Sequence, residues 1–186
     1  MTHSSSNAAS LLTDNLSLLD DLTVTLGVLD LACGSGRHGL LLAARGIPVI
    51  FADRDRDRLA AVKKDARFTS ALCRLWEVDL EQNETTPLAG KTFDAVLVFN
   101  YLHRPLFPQL KAAVRPGGLV IYETFTIAQR AFGRPTRDGF LLQPGELRTK
   151  FADWHLLHEF EGELPDPTRA VASVIARKPD SSAEVS

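Results

Sequence analysis

Short apolar runs alternate with helix-patterned segments along most of this chain, and most runs end on a glycine turn or a polar residue. Residues 26–31 lead into Ala32-Cys-Gly-Ser-Gly36. Residues 47–52 are closed by Asp53, 71–78 by Asp79, and 93–99 by Asn100. A fifth run, 119–125, follows Pro116-Gly-Gly118. Leu- and Ala-rich segments at 38–45, 55–67 and 106–114 lie between them and carry the apolar spacing of helices. A chain with this alternation folds as α/β around a parallel sheet, because each crossover helix returns the next strand in the same direction.

The rest of the chain modifies that frame. Leu12, Leu16, Leu19 and Leu22 predict one amphipathic helix ahead of the first strand. Residues 80–92 contain Asn83, Pro87 and Gly90, which predicts a loop in place of a crossover helix. Residues 126–143 form a long polar loop, and 144–151 a short helix. Two last strands, 154–160 and 170–176, are separated by about nine residues, too few for a parallel crossover. They are expected to pair antiparallel. The boundaries are a disordered tail over 1–10, one domain over 11–178 and a disordered tail over 179–186.

Composition narrows the function. Lys and Arg total 21 against 23 Asp and Glu, a formal net charge of -2. That balance argues against a domain built to grip nucleic acid. Acids interrupt every apolar stretch, so no segment is expected to span a bilayer. Cys33 and Cys73 form no CxxC or Cys/His cluster, so no metal site is expected, and both read as reduced thiols of a cytoplasmic protein.

In an open α/β sheet, ligands sit beyond the carboxyl ends of the parallel strands. Asp30, Asp53 and Asp79 line up there beside the Gly34-Ser-Gly36 turn. Gly34-Ser-Gly-Arg-His-Gly39 also matches the dinucleotide fingerprint, and Asp53 lies 19 residues after Gly34, where a ribose-binding acid belongs. A nicotinamide oxidoreductase and a nucleoside-binding enzyme therefore read alike up to this point. Asp30 separates them: beside the turn it repels a pyrophosphate and suits a cationic ligand.

Val28-Leu-Asp30-Leu-Ala-Cys-Gly34-Ser-Gly36 resembles motif I of the class I S-adenosylmethionine-dependent methyltransferases, with Ala32 in place of that motif's first glycine. Asp53 is similar to the family's ribose acid, Asp79-Leu80 to its adenine-contacting pair, and Val114-Arg-Pro-Gly-Gly-Leu-Val120 to the turn before its fifth strand. The segments 100–106, 122–125 and 140–147 look most like the short bacterial methyltransferases of the tellurite-resistance type. This resemblance spans roughly residues 12–178 and implies a Rossmann-like seven-stranded mixed sheet. Its implied order is 3-2-1-4-5-7-6, with an antiparallel last hairpin and helices on both faces. It also implies that the N-terminal helix packs over the cofactor pocket.

S-adenosylmethionine is the implied cofactor. Asp30 is expected at its ammonium and Ala32, Gly34 and Gly36 beneath it, the glycines letting main chain approach. Asp53 is expected at the ribose, Asp79 and Leu80 at the adenine, Arg54 stacked on the ring, and Asn100 at the same site. Near the methyl group, His103, Tyr101 and Tyr122 are candidate catalytic groups, with His103 first as a base. Tyr122 and Glu123 neighbour each other on a strand, so only one of them faces the site. Glu123, Arg134 and Arg137 are candidate substrate-binding residues, the arginines because their planar fork suits carboxylate or phosphate. The expected activity is in-line methyl transfer to a small, anionic acceptor. A non-catalytic adenosyl-binding protein and a nicotinamide oxidoreductase remain as alternatives. The sequence does not state the oligomeric form.

Overall fold

The computed structural model describes residues 7–82 and 86–180. Seven strands form one sheet in the order β3-β2-β1-β4-β5-β7-β6. They are β1 (Val28–Leu31), β2 (Val49–Asp53), β3 (Cys73–Glu77), β4 (Phe93–Phe99), β5 (Val114–Phe125), β6 (His155–Leu164) and β7 (Arg169–Arg177). The first five run parallel, and β7 pairs antiparallel with both β5 and β6. Strand β4 sits at the centre and is buried at every position, Asp94 included, and its apolar run from Ala95 to Phe99 is what a strand covered on both faces requires.

Helices cover the two faces. They are α1 (Ser10–Thr13), α2 (Ser17–Asp20), α3 (Arg37–Ala43), α4 (Arg56–Lys63), α5 (Phe107–Ala113) and α6 (Glu146–Lys150). On one face Leu29, Val96, Val98 and Val120 meet Phe107, Leu110 and Phe151. On the other, Phe51, Leu97 and Ile121 meet Leu12, Leu19, Leu40 and Val62.

Three elements differ from their predicted form. The leucine-spaced N-terminal segment is two single turns, α1 and α2, instead of one helix. Asn15 lies at the break and its side-chain amide donates to the Leu11 carbonyl at 2.9 Å, a local bond that competes with helix continuation. Its leucines pack against the sheet face, and none of these residues borders the hollows described below. The last hairpin is longer than expected. Strands β6 and β7 extend until only residues 165–168 join them. Strand β5 begins at Val114, before the Gly117 turn, and its register against β4 shifts between Phe93 and Ala95. Ser10 already starts α1, and Ala8 and Ala9 pack on the core, so the described end of the predicted 1–10 tail is structured. Residues 1–6 and 181–186 of the two predicted tails lie outside the described residues.

Two tethers hold the ends of the sheet. At the amino end of β4, Asp94 is fully buried. One carboxylate oxygen accepts the Thr25, Leu26 and Gly27 amides at 2.8, 2.6 and 2.9 Å. The other accepts from Arg115 Nε at 2.6 Å. At the carboxyl end of β5, the 126–142 loop is pinched at its neck. The Leu142 amide donates to the Phe125 carbonyl at 2.9 Å, and the Ile127 amide to the Leu142 carbonyl at 3.0 Å. Inside the loop two 3-10 turns, Ile127–Ala131 and Asp138–Phe140, replace the featureless stretch expected.

Candidate functional site

The chain leaves β1 through three positive-φ residues, Ala32 at 52°, Gly34 at 56° and Gly36 at 69°, and α3 starts at once. The glycines there differ in purpose. A Cβ on Gly36 would fall 2.7 Å from Val62, and one on Gly39 would fall 2.4 Å from the Phe51 ring. Those two let α3 close onto α4 and β2. Only at Gly34 is the space open, with the nearest atom, an Arg58 guanidinium nitrogen, at 3.5 Å. Gly36 therefore departs from its expected place beneath a ligand.

Two hollows flank this turn. The first, of about 190 Å³, opens over β2, β3 and β4 and is lined by Asp53, Arg54, Asp79, Leu80, Asn100 and Tyr101, among others. The second, of about 280 Å³, opens over β1 and the start of α3 and is lined by Asp30, Gly34, Arg37, His38 and Phe99. Ala32, Arg58 and Asn100 border both. Sharing these borders, the two make one trough, with Asp30 in the second hollow and Asp53, Asp79 and Glu81 in the first.

Asp53 is committed partly to the turn: one oxygen accepts the Gly34 amide at 2.8 Å and the other the Asp55 amide at 2.9 Å. Each carboxylate oxygen retains a lone pair for hydroxyl groups in the trough. Asp79 accepts the Glu81 amide at 2.9 Å. Arg54 is exposed and stands 3.9 Å from Glu81. Asp30 is only 2% exposed and accepts the Gly39 amide at 2.9 Å. Burial pushes its carboxyl up to about 7, against the lowering pull of that amide and of the nearby Arg37.

A third and larger cleft, about 740 Å³, adjoins the first hollow across Asn100 and Tyr101. It is also lined by the apolar Leu102, Phe125 and Phe140 and by Arg134, Pro135, Thr136 and Arg137. Arg130 of the same loop is paired with Asp138. No described carboxylate pairs with Arg134 or Arg137.

The four remaining candidates are placed differently. Tyr101 is the partition between trough and cleft. Tyr122 borders neither trough nor cleft and is nearly inaccessible, its hydroxyl donating to the Tyr101 carbonyl at 2.9 Å and its ring packed on Phe107. His103 borders a closed space with Leu31, Val98 and Phe107 and not the cleft. Glu123 faces the α3 side of the sheet, where Arg169 holds it at 3.3 Å. Burial raises the pKa of both tyrosines, so each stays a neutral phenol near pH 7.

Arg37, His38 and Arg58 border the trough and were not anticipated. His38 reads in the sequence as a solvent-facing or helix-packing residue. It is 4% exposed, stacked on Phe99 with ring centres 3.8 Å apart. Arg58 could have been found: three residues after Asp55 on a helix, it leans back toward the strand ends and lies 3.2 Å from that acid. Among the described residues no cluster of three metal-ligating side chains occurs, and no helix is long and apolar enough to cross a membrane.

Residues 28–118 match the family described as a methyltransferase domain. Among solved structures, TehB from Haemophilus influenzae is similar with a TM-score of 0.72 and 21% identity. The match covers 92% of this chain and 62% of TehB, so the chain spans about three fifths of that protein. The N-methyltransferase NodS from Bradyrhizobium japonicum superposes with a TM-score of 0.66 at 16% identity, over 90% of this chain and 94% of NodS. Magnesium protoporphyrin IX methyltransferase from Synechocystis, solved with bound SAM, gives 0.65 at 18% identity, over 91% of this chain and 78% of that one. No curated protein matches the chain. Residues 28–118 of this chain thus match a methyltransferase domain, and its 3-2-1-4-5-7-6 sheet, with a glycine turn and three strand-end acids, has the fold of those solved methyltransferases.

Proposed function

We propose that this protein transfers a methyl group from S-adenosylmethionine to a small anionic acceptor seated in the arginine cleft. The trough fits the cofactor: Gly34 offers backbone without a Cβ, Asp53 has hydroxyl-accepting capacity, and Asp30 is a buried carboxyl with no ion-pair partner among the described residues. When bound, the cofactor supplies an electrophilic methyl on a sulfonium. The observation that carries the acceptor reading is the cleft itself. It opens against the trough across Asn100 and Tyr101, and its two arginines have no acidic partner among the described residues.

The protein's part is then placement. Arg134 and Arg137 orient the acceptor through paired hydrogen bonds. Phe125 and Phe140 exclude water from its apolar part, and the trough holds the opposite reactant in line. The described lining of the cleft contains no carboxylate and no imidazole, and Tyr101 stays protonated. An acceptor that arrives as an anion, the charge the two arginines suit, needs no side chain of the cleft to take a proton from it.

The test is transfer of isotope-labelled methyl to a panel of small carboxylates, phosphates, amines and alcohols. Carboxylates or phosphates are expected to be labelled. On the best of them, Arg134→Ala and Arg137→Ala should each raise KM by roughly tenfold, the loss of a charged hydrogen bond, with affinity for S-adenosylhomocysteine unchanged. Labelling of amines alone, or wild-type kinetics in both variants, would overturn the acceptor assignment.

A further inference from the structure

The arginine cleft is larger than one small anion needs. At about 740 Å³ it has the size of pockets that enclose whole drug-sized ligands. Its polar lining comes from two parts of the chain. Arg134 and Arg137, both exposed, belong to the 126–142 loop and border the cleft but not the trough. Asn100 and Tyr101 follow β4 and border cleft and trough alike. A methyl group carried in the trough therefore meets the cleft at Asn100 and Tyr101, and the reacting atom of the acceptor belongs there.

Charge decides what the arginines hold. Methyl transfer to an anion cancels its charge as the new bond forms. A guanidinium fork bonded to the reacting carboxylate would bind the ground state more strongly than the transition state, and so would raise the barrier. Arginines help only when the anion they hold survives the reaction. The cleft lining nevertheless contains no carboxylate or imidazole, and Tyr101 stays protonated, so the reacting group must also arrive as an anion. An acceptor with two anionic groups meets both demands. Asn100 suits the reacting one. Its backbone is left-handed, at a φ of 55°, and its side-chain amide has no partner among the described residues. As a neutral donor it grips a carboxylate roughly half as strongly as a charged one, enough to orient it without trapping it.

We propose that the acceptor is a dicarboxylate. Arg134 and Arg137 hold one carboxylate as a handle, Phe125 and Phe140 cover the carbon chain, and the second carboxylate reacts beside Asn100. One of its oxygens bonds to the methyl carbon as the methyl–sulfur bond breaks. The electron pair stays on sulfur, turning sulfonium into thioether, and no proton moves. The product is a monomethyl ester that keeps its handle. The inference rests on the anionic-acceptor reading and adds that the gripped charge and the reacting charge are different groups.

Two measurements test it. In the first, the full chain saturated with S-adenosylhomocysteine is titrated calorimetrically with succinate, glutarate and adipate. Butyrate, valerate and hexanoate serve as one-headed acids of matching length. The best dicarboxylate should bind roughly tenfold or more tighter than its one-headed match, and Arg134→Gln and Arg137→Gln should each remove most of that advantage. Thermal melts report the folding of each variant. In the second, isotope-labelled S-adenosylmethionine should convert that dicarboxylate to a monomethyl ester, identified by mass spectrometry. The variants should raise its KM by roughly tenfold and hold kcat within about twofold. On the one-headed acid, whose only carboxylate the arginines trap, the same variants should keep or improve kcat. One-headed acids labelled as efficiently as dicarboxylates, and slowed alike by both variants, would place the arginines at the reacting carboxylate. That result overturns this inference and leaves the anionic-acceptor reading standing, as would labelling of other anions with no dicarboxylate bound. If no anion of any kind is labelled, the anionic-acceptor reading fails and the dicarboxylate fails with it.

Discussion

Asp30 is pulled in opposite directions by folding and by ligand. Its carboxyl is pushed up to about 7 by burial, from an ordinary 3.8, and the charged groups facing it are Arg37, which lowers that value, and Asp53, which raises it. A raised acid favours the folded state in its protonated form. Its contribution is complete below pH 3.8 and is lost as pH rises to about 7, a loss on the order of 4 kcal/mol. Asp30→Asn should therefore raise the melting temperature of the free protein at pH 8 and flatten its dependence between pH 5 and 7, as scanning calorimetry would show. The same variant should bind S-adenosylhomocysteine more weakly, because the ammonium loses its anionic partner. Wild-type affinity for that ligand should climb between pH 6 and 8, as Asp30 ionises. A variant that is no more stable at pH 8, or an affinity flat with pH, would count against the buried-acid account.

At the scale of elements, the 126–142 loop is secured by one buried side chain. Gln129 accepts the Ala170 amide of β7 at 2.8 Å and donates to the Arg134 carbonyl at 3.2 Å, so it joins the arginine-bearing stretch to the sheet. Gln129→Ala leaves both groups unpaired and should cost roughly 1–3 kcal/mol. Limited trypsin digestion should then cut faster after Arg130 and Arg137, while sites in α4 keep their rate. Equal rates throughout would show that the loop is held by its neck alone. The elements themselves were largely legible in the sequence, since apolar runs closed by Asp53, Asp79 and Asn100 leave few other folds. What escaped was set by tertiary context. The N-terminal leucines keep helical spacing across two separate turns, because the sheet face they cover asks only for apolar contacts. Strand β6 alternates between half-buried and exposed, the mark of an edge, and its weaker pattern hid its length. The acids of the trough were readable from their strand ends. Which of Tyr122 and Glu123 faces which side was not, because alternation fixes only that they differ. Arg37 and His38 escaped because their aim depends on positive φ at three alternate positions, Ala32, Gly34 and Gly36, which composition alone does not reveal.

Across the whole molecule, the Asp94 tether and the trough occupy opposite ends of the sheet. Asp94 lies at the amino end of β4, and the trough and cleft lie beyond its carboxyl end. Asp94→Ala leaves three backbone amides without their acceptor and Arg115 with only the Thr23 and Pro116 carbonyls, a loss expected to cost about 3–5 kcal/mol. Urea unfolding should show that loss, with the slope of the transition unchanged. Below the transition the variant should bind S-adenosylhomocysteine as the wild type does, and a matching loss of affinity would mean the two ends are coupled. The pinched neck at Phe125, Ile127 and Leu142 has a consequence of another kind. Both arginines of the cleft, with Pro135, Thr136 and Phe140, lie in the loop that this neck closes, and the cleft shares only Asn100 and Tyr101 with the trough. On the reading proposed above, a lineage of such proteins can trade one acceptor for another by rewriting a single insertion. The half that handles the methyl donor passes on unaltered.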